Sequence, residues 1–338
     1  MINNEMIKNY FTPYKYGKPV LTGSGKPDSF DCNAVDSPFV FYHNGKFQMM
    51  YIGFDGKGYQ TALAQSEDLL NWEFKAVILP KLENGAWNSM NTSGNWLLKE
   101  SNNLHDLPTL KKLDGKYWMT YHAYPEQGYE AGAASIGLAW CEDDDLLEWH
   151  RMDSPILTCD NAQPWDKGGL YKSCLIENDG SYYLFYNAKN TTYDKWMEQT
   201  GVAVSKDLMH WERYPENPVI KTTPQSWDSM FCSDPYVVFD RDKWLMFYFG
   251  FNGQRAQEGL AVSSDLLHWE KYGEPILTNG APGEIDELFA HKPSVLYHDG
   301  VLYHYYCSSR FYHKGDATCN FGKEFRTISV ATSKPITK

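Results

Sequence analysis

One segment, Asp-Leu-x-x-Trp, recurs four times along the chain, at residues 68–72, 145–149, 207–211 and 265–269. Self-similarity at this spacing means a ring or stack of like units, and it constrains the fold more than any local propensity. A short alternating strand leads into each copy, at 63–66, 138–140, 202–205 and 260–263. A fifth such strand, 328–333, runs into the C-terminus without the motif. Upstream of each lies a strand, a polar turn and an aromatic-rich strand, at 38–54, 108–124, 173–189, 235–251 and 293–309. Four of these turns are Asn44-Gly45, Asp114-Gly115, Asp179-Gly180 and Asp299-Gly300, and the other is 240–242. Asn-Gly or Asp-Gly between alternating apolar runs is the strongest short-range signal of a β-hairpin. No helical period separates these elements, so the fold class is all-β.

The fourth strand of each unit predicts how the ring closes. It reads 76–79, 155–158, 218–221 and 275–278, is missing after Ser333, and reappears at the other end as Pro19-Val20-Leu21-Thr22. The N-terminal strand is therefore expected to complete the last sheet by pairing with 328–331. Exchange of a strand between the two termini hides sheet edges in a closed ring, whereas an open stack would need caps. The reading is a five-bladed β-propeller of four-stranded antiparallel blades. It forms one domain, 1–338, with 1–13 as an N-terminal extension and 14–22 closing blade five.

Charge narrows the partners. Among 338 residues, 31 Lys and Arg stand against 43 Asp and Glu, a formal net charge of −12. Such a surface repels phosphate backbones and anionic lipid, so neither nucleic acid nor membrane is an expected partner. No apolar run approaches the ~18 residues needed to span a bilayer. The first residues lack a basic segment followed by an apolar one, and the seven cysteines include no Cys-x-x-Cys. Both features fit reduced thiols in a cytoplasmic protein. The oligomeric state is left open.

In a propeller the innermost strands line the central channel, and their starts lie on the face where chemistry gathers. Those starts read Asp36-Ser37-Pro38, Asp106-Leu107-Pro108, Lys172-Ser173, Asp234-Pro235 and Lys292-Pro293, with His105 and His291 alongside. Three Asp and two Lys before strands could be turn caps in a salt-bridged ring, but five charges converging in one funnel favour function. By ring order, Asp234 between Lys172 and Lys292 should have a lowered pKa, while one of Asp36 and Asp106 should resist ionising. Carboxyls of unequal acidity facing one cavity suit acid–base cleavage of an acetal. A second tier, Asp31, Asp166, Asp228 and Asp286, recurs six residues upstream and is expected to be mainly structural. The neighbouring Trp165 and Trp227 are candidate stacking platforms for sugar rings. The Asp-Leu-x-x-Trp turns fall on the opposite face and read as packing. There is no His-x-x-x-His, P-loop, dinucleotide fingerprint or Gly-x-Ser-x-Gly, so zinc, phosphoryl-transfer, hydride and serine-hydrolase chemistry lack support.

Short blades with Asp-x-Pro on the inner strand and Ser-x-Asp-Leu-x-x-Trp after the third resemble the five-bladed propeller glycosidases. These are glycoside hydrolase families 43 and 32, with the related families 62, 68, 117 and 130. The resemblance covers essentially the whole chain. It implies that Asp36 is the general base or nucleophile and that Asp106 fixes sugar hydroxyls or tunes the acid. The general acid is normally a Glu, and here the pattern departs: Lys172 stands where family 32 has its Glu, and Asp234 lies near that of family 43. Similarity to family 117 suggests His291 as the acid, ranked slightly above Glu258, with Glu130 and Glu198 also candidates. The expected activity is an exo-acting glycosidase on short neutral oligosaccharides. Lys172, Lys292, His291 and Arg310 leave an acidic sugar open. The alternatives are a family-130-like phosphorylase, a non-catalytic sugar-binding propeller and a protein scaffold. No cofactor is required, and the channel leaves room for a structural calcium ion.

Overall fold

Positive φ at both Asn44 and Gly45, and likewise at Asp114-Gly115, Asp179-Gly180 and Asp299-Gly300, reverses the backbone in the tight primed geometry these residues favour. The computed structural model describes residues 4–82, 84–191, 196–319 and 322–336. It is all-β, apart from one helical turn and a short 3-10 segment near the N-terminus.

Five antiparallel units follow one another along the sequence. The first is Ala34–His43, Lys46–Phe54, Tyr59–Ser66 and Glu73–Leu79. The third, fourth and fifth begin with Gly169–Asn178, Phe231–Asp240 and Phe289–His298, each paired to the next strand in sequence. Their short outer strands are reduced to a few residues and isolated bridges, such as Thr200 to Ile220 and Glu258 to Leu277. Single parallel bridges, Glu198 to Phe231 and Ala256 to Phe289, join the third unit to the fourth and the fourth to the fifth. The first strands touch in sequence order, and the last touches the first. The N-terminal strand lies where the missing strand of the last unit required it. Tyr14 and Lys15 pair with Thr332 and Ala331, and the Val20 N–H donates to the Ile328 carbonyl at 2.8 Å.

The repeated motif has a local cause. Leu69, Leu146, Leu208 and Leu266 all take positive φ, a strained conformation for a branched side chain. Asp68, Asp207 and Asp265 accept from backbone N–H groups two and three residues on, and each motif Trp donates its indole N–H to the strained leucine's carbonyl. The motif is therefore a turn clamp whose tryptophan packs between units.

The second unit departs from the sequence-based reading. Its inner strand is Asn91–Leu97, not the segment opening at Asp106, and it pairs with Lys116–Tyr124. Residues 98–111 leave the sheet and cross the far end of the inner strands. There the Leu104 N–H donates to the Phe239 carbonyl, and the Tyr42 N–H donates to the Pro108 carbonyl. Only Lys112 and Leu113 return to the sheet before the Asp-Gly turn, and their position mimics an inner strand in sequence. The same end is covered by Tyr10, whose hydroxyl donates to Asp240 at 2.6 Å.

Candidate active site

Four inner strands carry a kink near their start, where Ser37, Lys172, Asp234 and Lys292 take φ of 53°, 40°, 54° and 65°. At each kink the strand register slips by a residue. The extra residue turns a polar side chain out of the sheet ladder and towards the ring axis. Asp36 stands one register position earlier than the other three charged residues, level with Tyr171, Ser233 and His291. Above the kinks lies a cavity of about 730 Å³, counted out to its solvent mouth.

The cavity has polar groups, His122, Glu130, Lys172, Glu198, Asp234 and Lys292, on its lining. Phenyl rings from the same strands also line it. Phe231 and Phe251 lie 5.0 Å apart, Phe251 and Phe289 5.9 Å, and the half-exposed Trp196 lies 5.5 Å from Phe231. Such rings suit the apolar C–H face of a sugar, while the polar lining residues offer donors and acceptors for its hydroxyls.

The carboxyls of this site are sharply divided. Asp36 is buried and does not line the cavity. Its Oδ2 accepts from Lys292 Nζ at 2.7 Å and Arg326 at 3.0 Å, and its Oδ1 accepts from the Ser37 N–H at 2.7 Å. Burial opposes its ionisation, but those two cations and His291 overcome burial and hold its carboxyl well below the usual range. Asp36 is thus a buried ion-pair partner behind the cavity lining, and not the channel-facing base or nucleophile that was expected. Asp234 behaves oppositely to the ring-order expectation. Burial raises its pKa to about 7, against the pull of Lys292 and Lys172. Desolvation wins because Lys292 is already committed to Asp36.

Glu198 opens the strand Glu198–Ser205, lines the cavity, and is raised by burial and by the negative charge of Glu130. Asn187 Nδ2 and Ser233 Oγ donate to its Oε2 at 3.0 and 2.7 Å, and its interaction with Tyr171 further favours the charged form. The same Asn187 Nδ2 donates to Asp234 Oδ1 at 3.2 Å. Since one nitrogen reaches both oxygens, they lie no further apart than the sum of those two bonds. That bound holds for one oxygen of each carboxyl, and it admits the ~5–5.5 Å separation of retaining glycosidases.

The remaining expected site residues divide as follows. His291 lines the cavity, but burial holds its pKa down at about 3 and its Nδ1 faces the Cys307 carbonyl at 3.0 Å. A neutral imidazole with that pKa is a poor proton donor at neutral pH, so the first-ranked acid is corrected. Glu258 lies inside the strand Ala256–Ser263 rather than on a loop, and it is fully buried off the cavity lining. Asp106 is exposed and accepts from Ser101 at 2.6 Å, while His105 contacts Asp240 and Tyr297. Both sit at the closed far end of the inner strands, not at the cavity. Arg310 is paired with Asp316 at 2.6 Å outside it.

Trp165 and Trp227 are not sugar platforms. They stack on Tyr186 and Tyr248 with centroids 5.9 and 5.8 Å apart, and they cover Gly201 and Gly259. The second-tier aspartates are structural: Asp166, Asp228 and Asp286 each receive a cation and a tyrosine hydroxyl. Residues that sequence reasoning missed include His122, Tyr129, Tyr171, Asn187 and Arg326. Asp36, His291 and Cys307 can bring donor atoms within 4.8 Å of one another. They do not suit calcium, which takes about 6–8 oxygen ligands, because Lys292 and Arg326 already occupy the carboxylate.

An all-β protein whose cavity pairs buried carboxyls with phenyl rings has the features of a carbohydrate-active enzyme, and its relatives agree. Residues 98–313 match the Glycosyl hydrolases family 32 N-terminal domain, and this protein belongs to that family. A solved structure described as "Glycoside hydrolase" superimposes with a TM-score of 0.83 at 30% identity, covering 100% of this chain and 97% of its own. Among curated proteins, a 1,2-beta-oligomannan phosphorylase of Thermoanaerobacter sp. (strain X514) is 29% identical over 137 residues, 38% of this chain and 45% of that one. A beta-xylosidase of Xylanibacter ruminicola is 28% identical over 160 residues, 42% and 43% of the respective chains. The match thus spans less than half the length of these curated relatives. The fold is propeller-like and shared with glycoside hydrolases.

Proposed function

We propose that the five units are the blades of one closed five-bladed propeller, and that its cavity cleaves O-glycosyl bonds with retention of configuration. Glu198 is the nucleophile and Asp234 the acid–base. Asp234, with a pKa near 7, gives its proton to the glycosidic oxygen while the Glu198 carboxylate attacks the anomeric carbon. The leaving sugar departs as an alcohol and a glycosyl ester remains on Glu198. Asp234, now ionised, takes a proton from water as that water attacks the anomeric carbon and breaks its bond to Glu198, which frees the sugar and both carboxyls. The observation that carries this reading is Asn187, whose one amide nitrogen bonds an oxygen of each carboxyl and so draws the two groups together.

The segment 98–111 closes the far end of the ring, which favours exo-action on the ends of a glycan over cleavage within a long groove. A second reading, transfer to phosphate instead of water, draws support from the oligomannan phosphorylase relative. The test is a glycoside with an activated leaving group. Asp234→Asn should spare its cleavage while crippling that of oligosaccharides, and Glu198→Gln should abolish both. Equal loss on both substrates in Asp234→Asn removes Asp234 from the acid's role.

A further inference from the structure

Two donors on the cavity lining have nothing to bond. Lys172 is 6% exposed and lines the cavity, yet its ammonium makes no hydrogen bond or ion pair among the described residues. His122, also 6% exposed, lines the same surface. Its Nδ1 accepts from the Lys172 backbone N–H at 3.1 Å and lies 3.0 Å from the nitrogen and 3.1 Å from the oxygen of the Asn95 amide. Because the Lys172 N–H can only donate, Nδ1 is assigned as the acceptor and the ring proton to Nε2, which has no partner among the described residues. The backbone bond also fixes the two side chains side by side. Lys292, on the same lining, gives one bond to Asp36 and keeps two further N–H donors.

Neither the Lys172 ammonium nor His122 Nε2 is sealed off from the cavity, so both donors stand open to an acceptor that enters it. The acidic residues nearby do not fill the gap. Asp36 is spent on Lys292 and Arg326, and neither Asp234 nor Glu198 lies within ion-pair distance of Lys172. A cation beside a neutral donor, both facing the cavity, matches a compact oxyanion on a bound ligand.

We propose that Lys172 and His122 form an oxyanion subsite inside the cavity, filled either by the carboxylate of an acidic sugar or by phosphate. The subsite rests on the cavity being the substrate site, and it replaces the neutral oligosaccharide expected from the acidic funnel. A sugar carboxylate makes the enzyme a hydrolase of acidic glycans, whereas phosphate makes it a phosphorylase.

Calorimetric titration of the intact protein with inorganic phosphate, glucuronate and galacturonate, each against glucose and galactose, separates these sources without any bond being cleaved. A charge-assisted bond to a buried ammonium gives at least a roughly tenfold preference for the matching anion. Lys172→Met removes the cation at similar length, and it should bring that anion to within about twofold of the neutral sugars while the protein still melts cooperatively. His122→Asn, as a second variant, should weaken the same anion and leave the neutral sugars alone. Anions that bind the native protein no better than neutral sugars overturn the subsite, as does a Lys172→Met variant that keeps the preference. Failure of the Glu198 and Asp234 roles would appear in turnover and leave these titrations unchanged.

Discussion

Asp234→Asn should make the protein more stable at alkaline pH and nearly inactive at the same time. Asp234 is buried, and its pKa is raised from 3.8 to about 7. A carboxyl whose folded pKa lies above its unfolded value binds its proton more tightly in the native state. The stability it contributes is complete at acid pH and is lost as pH rises through the window from about 4 to about 7. A shift of that size corresponds to at most about 4 kcal/mol by pH 8, with Lys172, Lys292, Glu198 and Asp36 as the charges that tune it. Asparagine keeps the shape and carries no charge, so the variant lacks this loss. Thermal melts at pH 5 and pH 8 should show native stability falling by a few kcal/mol that the variant does not share, a difference of several degrees at this length. Turnover of oligosaccharides should fall by about 10²–10⁴-fold, the usual contribution of a positioned acid. A variant that melts below the native protein at pH 8 would refute the raised pKa. Undiminished turnover would refute the catalytic role.

Asp36→Asn should act mainly on stability. It leaves Lys292 and Arg326 buried without their shared carboxylate, which costs about 3–5 kcal/mol and is measurable by urea unfolding. Gly259→Ala sets a methyl group 2.5 Å from the Trp227 ring and 2.8 Å from that of Tyr248. It should destabilise by about 1–3 kcal/mol in a thermal melt and leave the pH–rate profile unchanged.

The architecture was legible because it is repetitive. Glycine-containing turns mark four of the five units and the Asp-Leu-x-x-Trp clamp likewise four, and the orphan strand at 19–22 finds its partner by elimination. The second unit misled because Asp106-Leu107-Pro108 imitates an inner-strand start, while the true strand, Asn91–Leu97, carries no charged residue. The site was half legible. Lys172, Asp234, Lys292 and His291 do line the cavity, but their protonation is decided by burial and by which charge is already paired. Neither is visible in ring order. One overlooked signal lay in the third strands. Tyr59, Glu198, Ala256 and Arg326 each stand three residues before a small residue that opens the repeated apolar run, and all four line the cavity. Aligning the repeats by that strand would have put Glu198 and Arg326 at the site ahead of Asp106.

The paired roles of Glu198 and Asp234 are tested most directly by proton NMR of the anomer first released from a cleaved oligosaccharide, read before mutarotation. Carboxyls tied to one Asn187 amide predict that the product keeps the configuration of the bond that was broken. A first product of inverted configuration would contradict the assignment, because inversion makes water the nucleophile in place of the Glu198 carboxylate.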